Sequence, residues 1–163
     1  FKGPLAKKSL KLYIQLFIIK PKNIIKVSSL PFYKISKKKK KKNKIFQGTT
    51  TELIKQLIIE TSAIIYQRLK FVGIGYRAFD VDNFKKKLLL FKLGYSHFLY
   101  FKVTKNFKIF CLKMTKLFIY GGSYQNVTQI ASSIRSYKKP DPYKNKGILY
   151  NIEKVVLKEG KKA

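Results

Sequence analysis

Two stretches of the chain repeat apolar residues at the spacing of a helix, and much of the remainder alternates with the shorter period of a strand. Ile54, Leu57, Ile58 and Ile65 recur at i, i+3, i+4 intervals, with Thr61 fitting less cleanly, which predicts a core-packing helix from Thr49 to about Tyr66. Thr49 and Glu52 stand at the spacing of a capping box, so the helix is expected to begin there. Val127, Ile130, Ala131 and Ile134 form a second, tighter stripe. Ser123 is its expected N-cap, and Pro140 stands beyond its end.

The strand-like stretches surround these helices. Lys11 to Lys20, ended by Pro21, then Asn23 to Ser28 and Pro31 to Ile35, read as short strands rich in β-branched residues. Between Arg68 and Phe79, Gly73-Ile74-Gly75 sits in strand-like composition. It lacks the third glycine and the following helix of a phosphate cradle, so a bent or bulged strand close to another backbone is expected. Tyr76 and Arg77 then project to opposite faces, and at most one is buried. Lys86 to Leu93 and His97 to Val103, joined by Gly94-Tyr95-Ser96, predict a hairpin that Phe107 to Leu112 and Lys116 to Tyr120 extend into a meander. A last strand is expected over Ile148 to Leu157. Short strands followed by one helix occur twice. The chain therefore reads as α+β, with two similar small domains, 1–67 and 68–163, each an antiparallel sheet with one packed helix.

One segment fits neither period. In Ser136 to Tyr150, Pro140 and Pro142 each fix φ and remove a backbone donor, while four lysines and three tyrosines line a stretch that can be neither helix nor buried strand. It reads as a stiff cationic loop bearing Tyr137, Tyr143 and Tyr150, suited to a polyanion with planar bases.

Charge supports that reading. The 163 residues carry 37 Lys+Arg against 7 Asp+Glu, a formal +30, yet 45% are hydrophobic, so the chain can fold while repelling itself. Nucleic acid is favoured over a membrane surface, because basic residues run through the whole chain rather than along one amphipathic stripe. Lys37 to Lys42 is unbroken lysine and reads as a solvated loop or a phosphate-contacting arm. The longest apolar run, Leu12 to Ile19, is interrupted by Gln15 and falls short of the roughly 20 residues of a membrane span. Phe1 is not an initiator methionine, as expected of a trimmed chain, and no signal or transit peptide is recognisable.

Little in the sequence supports catalysis. Cys111 stands alone and reads as a small buried hydrophobe on a strand, His97 is the single histidine, and no zinc spacing or Walker loop occurs. Asp80 and Asp82 read as turn formers. No cofactor, metal or small-molecule substrate is expected, and the chain does not read as an enzyme. Only Arg68, Arg77 and Arg135 of the basic residues are arginine, and Lys, Ile, Phe, Tyr and Asn are abundant, which points to an A/T-rich coding genome such as that of an organelle.

Gly73-Ile74-Gly75-Tyr76-Arg77-Ala78, Leu93-Gly94-Tyr95-Ser96-His97, Ile134-Arg135, Pro140 to Gly147 and the closing Lys158-Glu159-Gly160-Lys161-Lys162 together resemble, in order and spacing, the ribosomal protein L6 family of the large subunit. The resemblance is strong over 69–163, includes the helix at Thr49 to Tyr66, and extends to 1–48 only in length and texture. It implies a structural constituent of the large ribosomal subunit built from two α+β domains, the carboxy-terminal one binding large-subunit rRNA near the sarcin–ricin loop and stalk base, beside neighbouring ribosomal proteins. It also implies rRNA contacts from Arg77, Ser96, His97, Lys138, Lys139, Tyr143, Lys144, Lys146, Lys158, Lys161 and Lys162. This sequence departs from the family pattern at Phe98, where proline is usual, at Asn145, where glycine is usual, at Leu149, where a basic residue is usual, at Asp141 for Glu, and at Ser123-Tyr124 for Asp-Lys. With the codon bias, the resemblance implies a mitochondrial ribosome, or alternatively a plastid one. Two other readings are a free regulatory RNA-binding protein and an RNA-modifying or nuclease enzyme.

Overall fold

A computed structural model describes residues 1–31, 40–83, 86–104 and 107–160, with the side chains of 29–31, 40–42, 82–83 and 86–87 outside the description. The expected strand over 32–35, Lys37 to Lys39, and Lys161 and Lys162 therefore lie outside the described residues. The chain forms two compact units, Phe1–Ala63 and Ile64–Ala163, and the class is α+β.

In the first unit, β1 (Ile14–Ile19) and β2 (Ile24–Pro31) pair antiparallel across a single 3-10 turn, Lys20–Lys22. Asn23 ends that turn in the left-handed region at φ 49°, which asparagine tolerates. Helix α1 spans Lys40–Ser62, so it starts about two and a half turns earlier than the sequence predicts and stops short of Tyr66. The capping box does not form. The Thr49, Thr50 and Thr51 hydroxyls instead donate to the carbonyls of Ile45, Phe46 and Gln47 at 2.7–2.9 Å, as threonines do inside a helix. The inward face is Thr50, Ile54 and Thr61, while Ile58 is exposed and Ile65 belongs to a strand. A two-stranded sheet covers only a narrow stripe of a helix this long.

Among the described residues, most of the buried hydrophobic side chains belong to the second unit. The strands among its described residues are β3 (Ile65–Val72), β4 (Arg77–Asn83), β5 (Lys86–Lys92), β6 (Leu99–Lys102), β7 (Phe107–Lys113), β8 (Lys116–Gly121) and β9 (Gly147–Tyr150), with α2 (Tyr124–Ser136) between β8 and β9. They build two sheets rather than one: a four-stranded sheet ordered β7-β8-β3-β9 and a three-stranded sheet ordered β4-β5-β6. The predicted meander therefore breaks between β6 and β7, where the chain changes sheet. Helix α2 lies on the four-stranded sheet, burying Val127, Ala131 and Ile134 against the inward residues Leu69, Ile119 and Ile148. Ser123 precedes α2 in extended conformation without a side-chain cap bond.

The Gly73-Ile74-Gly75 stretch is the other sheet switch. It is a turn between β3 and β4, not a bulge. A Cβ on Gly73 would lie 2.7 Å from the Tyr76 ring, so the space the glycine leaves is filled by that ring, which is buried, while Arg77 is exposed. The β7–β8 turn bridges the sheets: the Phe71 N–H donates to Thr115 O at 2.9 Å and the Ala78 N–H to Met114 O at 2.7 Å. Asp80 and Asp82 sit on β4 rather than in a turn. Asp80 accepts from the Cys111 thiol at 3.4 Å, so Cys111 is half-buried and hydrogen-bonded, not a fully buried apolar residue.

Candidate nucleic-acid interface

The loop after α2 is closed by its own backbone. The Asp141 N–H donates to Lys146 O at 3.0 Å, and the Asn145 N–H returns to Asp141 O at 2.9 Å. The Tyr143 N–H donates to the Asp141 carboxylate at 3.1 Å, the Asx-turn that an aspartate between two prolines favours. Asn145 adopts φ 56°, the left-handed conformation that a glycine would supply, so its substitution for glycine preserves the turn. The Ile148 N–H donates to Lys138 O at 2.8 Å, drawing the base of the loop shut as β9 begins.

Two further segments are tied to it. In the β5–β6 connection, the Tyr95 hydroxyl donates to Tyr137 O at 2.9 Å, and the Lys138 ammonium lies 4.2 Å above the Tyr95 ring, a cation–π contact. The His97 ring stacks on Tyr95 at 5.9 Å. These contacts bring His97 and Lys138 together on Tyr95, with Ser96 between Tyr95 and His97 in the chain. On the other side, the Lys158 N–H donates to Pro142 O at 3.0 Å, so the segment after β9 folds back against the loop. Arg77 pairs with Lys92 at the end of the three-stranded sheet that carries the β5–β6 connection. Lys139, Tyr143, Lys144 and Lys158 are exposed, and Lys146 is half-buried.

The three tyrosines divide. Tyr137 packs inward against Phe91 and Phe101, with ring centroids 6.0 and 6.4 Å away, and Tyr150 lies under the Arg135 guanidinium at 5.4 Å. Tyr143 alone of the three is left exposed, at 55%. Sequence reasoning assigned no role to Tyr95, although its place between Gly94 and Ser96 in a hairpin connection marks it as a residue that can reach a neighbouring loop. Leu149, where the family pattern has a basic residue, is buried and contributes packing instead.

β9 stops at Tyr150 instead of running to Leu157, and Glu153 shows why. Its carboxylate accepts the Tyr150 N–H at 3.1 Å and pairs with Arg135 at the end of α2, with the Arg135 Nε at 3.1 Å and a second contact from the guanidinium. The Arg135 hydrogen bonds outweigh partial burial and hold the Glu153 carboxyl below its ordinary value. A carboxylate with a depressed folded-state pKa contributes stability above its unfolded pKa, about 4.3, and that contribution is lost as pH falls through the folded value. The urea midpoint of Glu153→Gln is therefore expected below that of the unsubstituted chain at about pH 7, with the gap closing towards about pH 3. A gap independent of pH would reject this role.

This surface is cationic, stiff and exposed. The loop's four lysines face one aspartate, and among the described residues no three His, Cys, Asp or Glu side chains converge as a metal site. Such a surface is one that complements a polyanion.

Residues 72–151 match the family model described as Ribosomal protein L6. The chain is 41% identical over 123 residues to the Large ribosomal subunit protein uL6 of Mycoplasma pneumoniae, covering 76% of this chain and 65% of that protein. It is 37% identical to the uL6 of Halorhodospira halophila, over 71% of this chain and 63% of that protein. It is 39% identical to the Large ribosomal subunit protein uL6m of Reclinomonas americana, over 78% and 66% respectively. The chain belongs to the ribosomal protein L6 family. The matched stretches span slightly less than two thirds of these relatives' own lengths.

Proposed function

We propose that the chain is a non-enzymatic structural constituent of the large ribosomal subunit and that its second unit binds large-subunit rRNA. The observation that carries this reading is the tying of three segments, the β5–β6 connection, the loop after α2 and the segment after β9, into one cationic surface by Tyr95, Lys138 and Lys158. A duplex is recognised by shape and backbone, and lysines on a pre-stiffened loop meet phosphates with little ordering cost. The contacting residues in this reading are Arg77, Ser96, His97, Lys138, Lys139, Tyr143, Lys144, Lys146 and Lys158, continued by Lys161 and Lys162 beyond the described residues. The site on rRNA lies near the sarcin–ricin loop and the stalk base, beside neighbouring ribosomal proteins, where the surface supports the region that receives translation factors. The A/T-biased composition and the likeness to a uL6m favour a mitochondrial ribosome.

The chain is then expected to sediment with large ribosomal particles at low salt and to be stripped from them at high salt, because phosphate neutralisation releases counterions. Immunodetection across a sucrose gradient reads this directly. A chain that remains at the top of the gradient at low salt would refute the assignment.

A further inference from the structure

The outward face of the four-stranded sheet is used by nothing described so far. Along β3, Tyr66, Arg68 and Lys70 alternate with the buried Ile65, Leu69 and Phe71, so they stand on the side away from α2. The register places them opposite Tyr120, Phe118 and Lys116 of β8, and Phe110 and Lys108 of β7 continue the row beyond Phe118 and Tyr120. The rings form two stacked pairs: Tyr66 with Phe118 at 5.2 Å, and Phe110 with Tyr120 at 6.2 Å. Arg68 lies over both members of the first pair at 5.2 and 5.6 Å, and Lys108 lies over Tyr120 at 5.9 Å. Tyr66 is 51% exposed and Phe110 42%, an unusual exposure for aromatic rings on the face of a central sheet.

The charge on this face has one sign. β3, β7 and β8 contain no Asp or Glu, while Arg68, Lys70, Lys108 and Lys116 all fall on it. Arg68 also lines two adjoining cavities. One, of about 260 Å³, is bordered by Tyr66, Tyr150 and Ile152; the other, of about 240 Å³, by Lys70, Leu112 and Lys116. Cations interleaved with exposed rings complement a polyanion that carries planar groups. In a duplex the base faces are stacked on one another and closed to side chains, whereas an unpaired strand offers them. An acidic peptide would satisfy the charges, but a nucleic-acid strand alone pairs a planar group with every anionic repeat, as the interleaved rings and cations require.

We infer that this face is a second RNA interface, one that takes an unpaired strand by stacking its bases on Tyr66, Phe118 and the Arg68 guanidinium while the lysines hold its phosphates. It shares with the proposed ribosomal reading only the choice of RNA as the polyanion. The residues are distinct from those of the loop after α2.

The test uses the full chain with two charge-matched probes, a fluorescein-labelled oligouridine of about ten nucleotides and an abasic ribose-phosphate strand of the same length, with a duplex rRNA hairpin as third ligand. The unsubstituted chain is expected to bind the oligouridine roughly tenfold more tightly than the abasic strand. Tyr66→Leu with Phe118→Leu should abolish that discrimination and leave hairpin affinity within about twofold, whereas Tyr66→Phe should retain it. Lys116→Gln, which removes a lysine assigned to the phosphates, should make the salt dependence for oligouridine shallower by about 0.7 in log–log slope. Equal binding of the two strands by the unsubstituted chain, or discrimination surviving in the double leucine variant, would overturn the inference. So would leucine variants that bind RNA normally but fail to enter large particles, since the face would then dock a protein. A hairpin bound by no variant would refute the ribosomal reading and leave the strand comparison to stand or fall by itself.

Discussion

Alanine at Lys138, Lys139, Lys144 and Lys146 together is expected to weaken binding to a large-subunit rRNA hairpin by on the order of a hundredfold at about 0.1 M salt, and to make the log–log salt dependence shallower by about four. The reasoning is one of counting phosphates. Each lysine that neutralises a phosphate releases close to one counterion, so its removal lowers the slope by about one regardless of the sequence bound. The fold is expected to survive, because none of the four is in the hydrophobic core and the turn is closed by backbone bonds. Lys138 alone also contributes to tying the β5–β6 connection, through its place over Tyr95, a contact worth about 0.5–1 kcal/mol at an exposed site. Fluorescence anisotropy over a salt series gives both numbers. An unchanged slope would reject the phosphate-contacting role of the loop.

Gly147→Ala is expected to destabilise the second unit by about 3 kcal/mol, lowering its melting temperature by roughly 10 °C or more. A Cβ at this position would stand 2.6 Å from Pro140 Cα and 2.7 Å from Lys139 O and Pro140 N. These are backbone atoms of a loop stiffened by two prolines and pulled shut by the Ile148 N–H to Lys138 O bond, so no side chain can swing aside. Either the loop opens or β9 leaves its register with β3, in which Gly147 stands opposite Val72. The same substitution at Gly160, where an added methyl meets nothing within 4 Å, should change stability by less than about 0.5 kcal/mol. Calorimetry on the two variants separates a specific close approach from a general cost of losing glycine. Equal melting temperatures would show that the loop yields.

The parts of this architecture that were legible in the sequence are those set by local pattern. The stripe Val127, Ile130, Ala131 and Ile134 identified α2, and the alternation around Gly94-Tyr95-Ser96 identified the β5–β6 hairpin, because each period is written within a dozen residues. What failed depended on distant partners. Thr49-x-x-Glu52 has the form of a capping box, but the helix continues through it to Lys40, and the threonine hydroxyls turn to carbonyls inside the helix. The division of the strands into two sheets was hidden, since strand order is set by long-range pairing and not by any one strand's composition. β9 was overextended because Ile152, Val155 and Val156 look like strand residues; an ion pair between Arg135 and Glu153, 18 positions apart, ends it. At the candidate interface, the loop lysines were visible as charge between prolines. Tyr95 was not, because its part rests on a hydrogen bond to a residue 42 positions away.

The bond from the Lys158 N–H to Pro142 O has a consequence in time as well as in space. During synthesis the chain emerges from its amino-terminal end, so the loop after α2 is made before the segment that braces it. Until residue 158 has emerged the loop is closed by its own backbone but lacks the brace at Pro142. Late closure makes the braced surface a property of the finished unit, and a chain truncated before Glu153 is expected to keep the four loop lysines while losing the contacts of Glu153 and Lys158 that brace them.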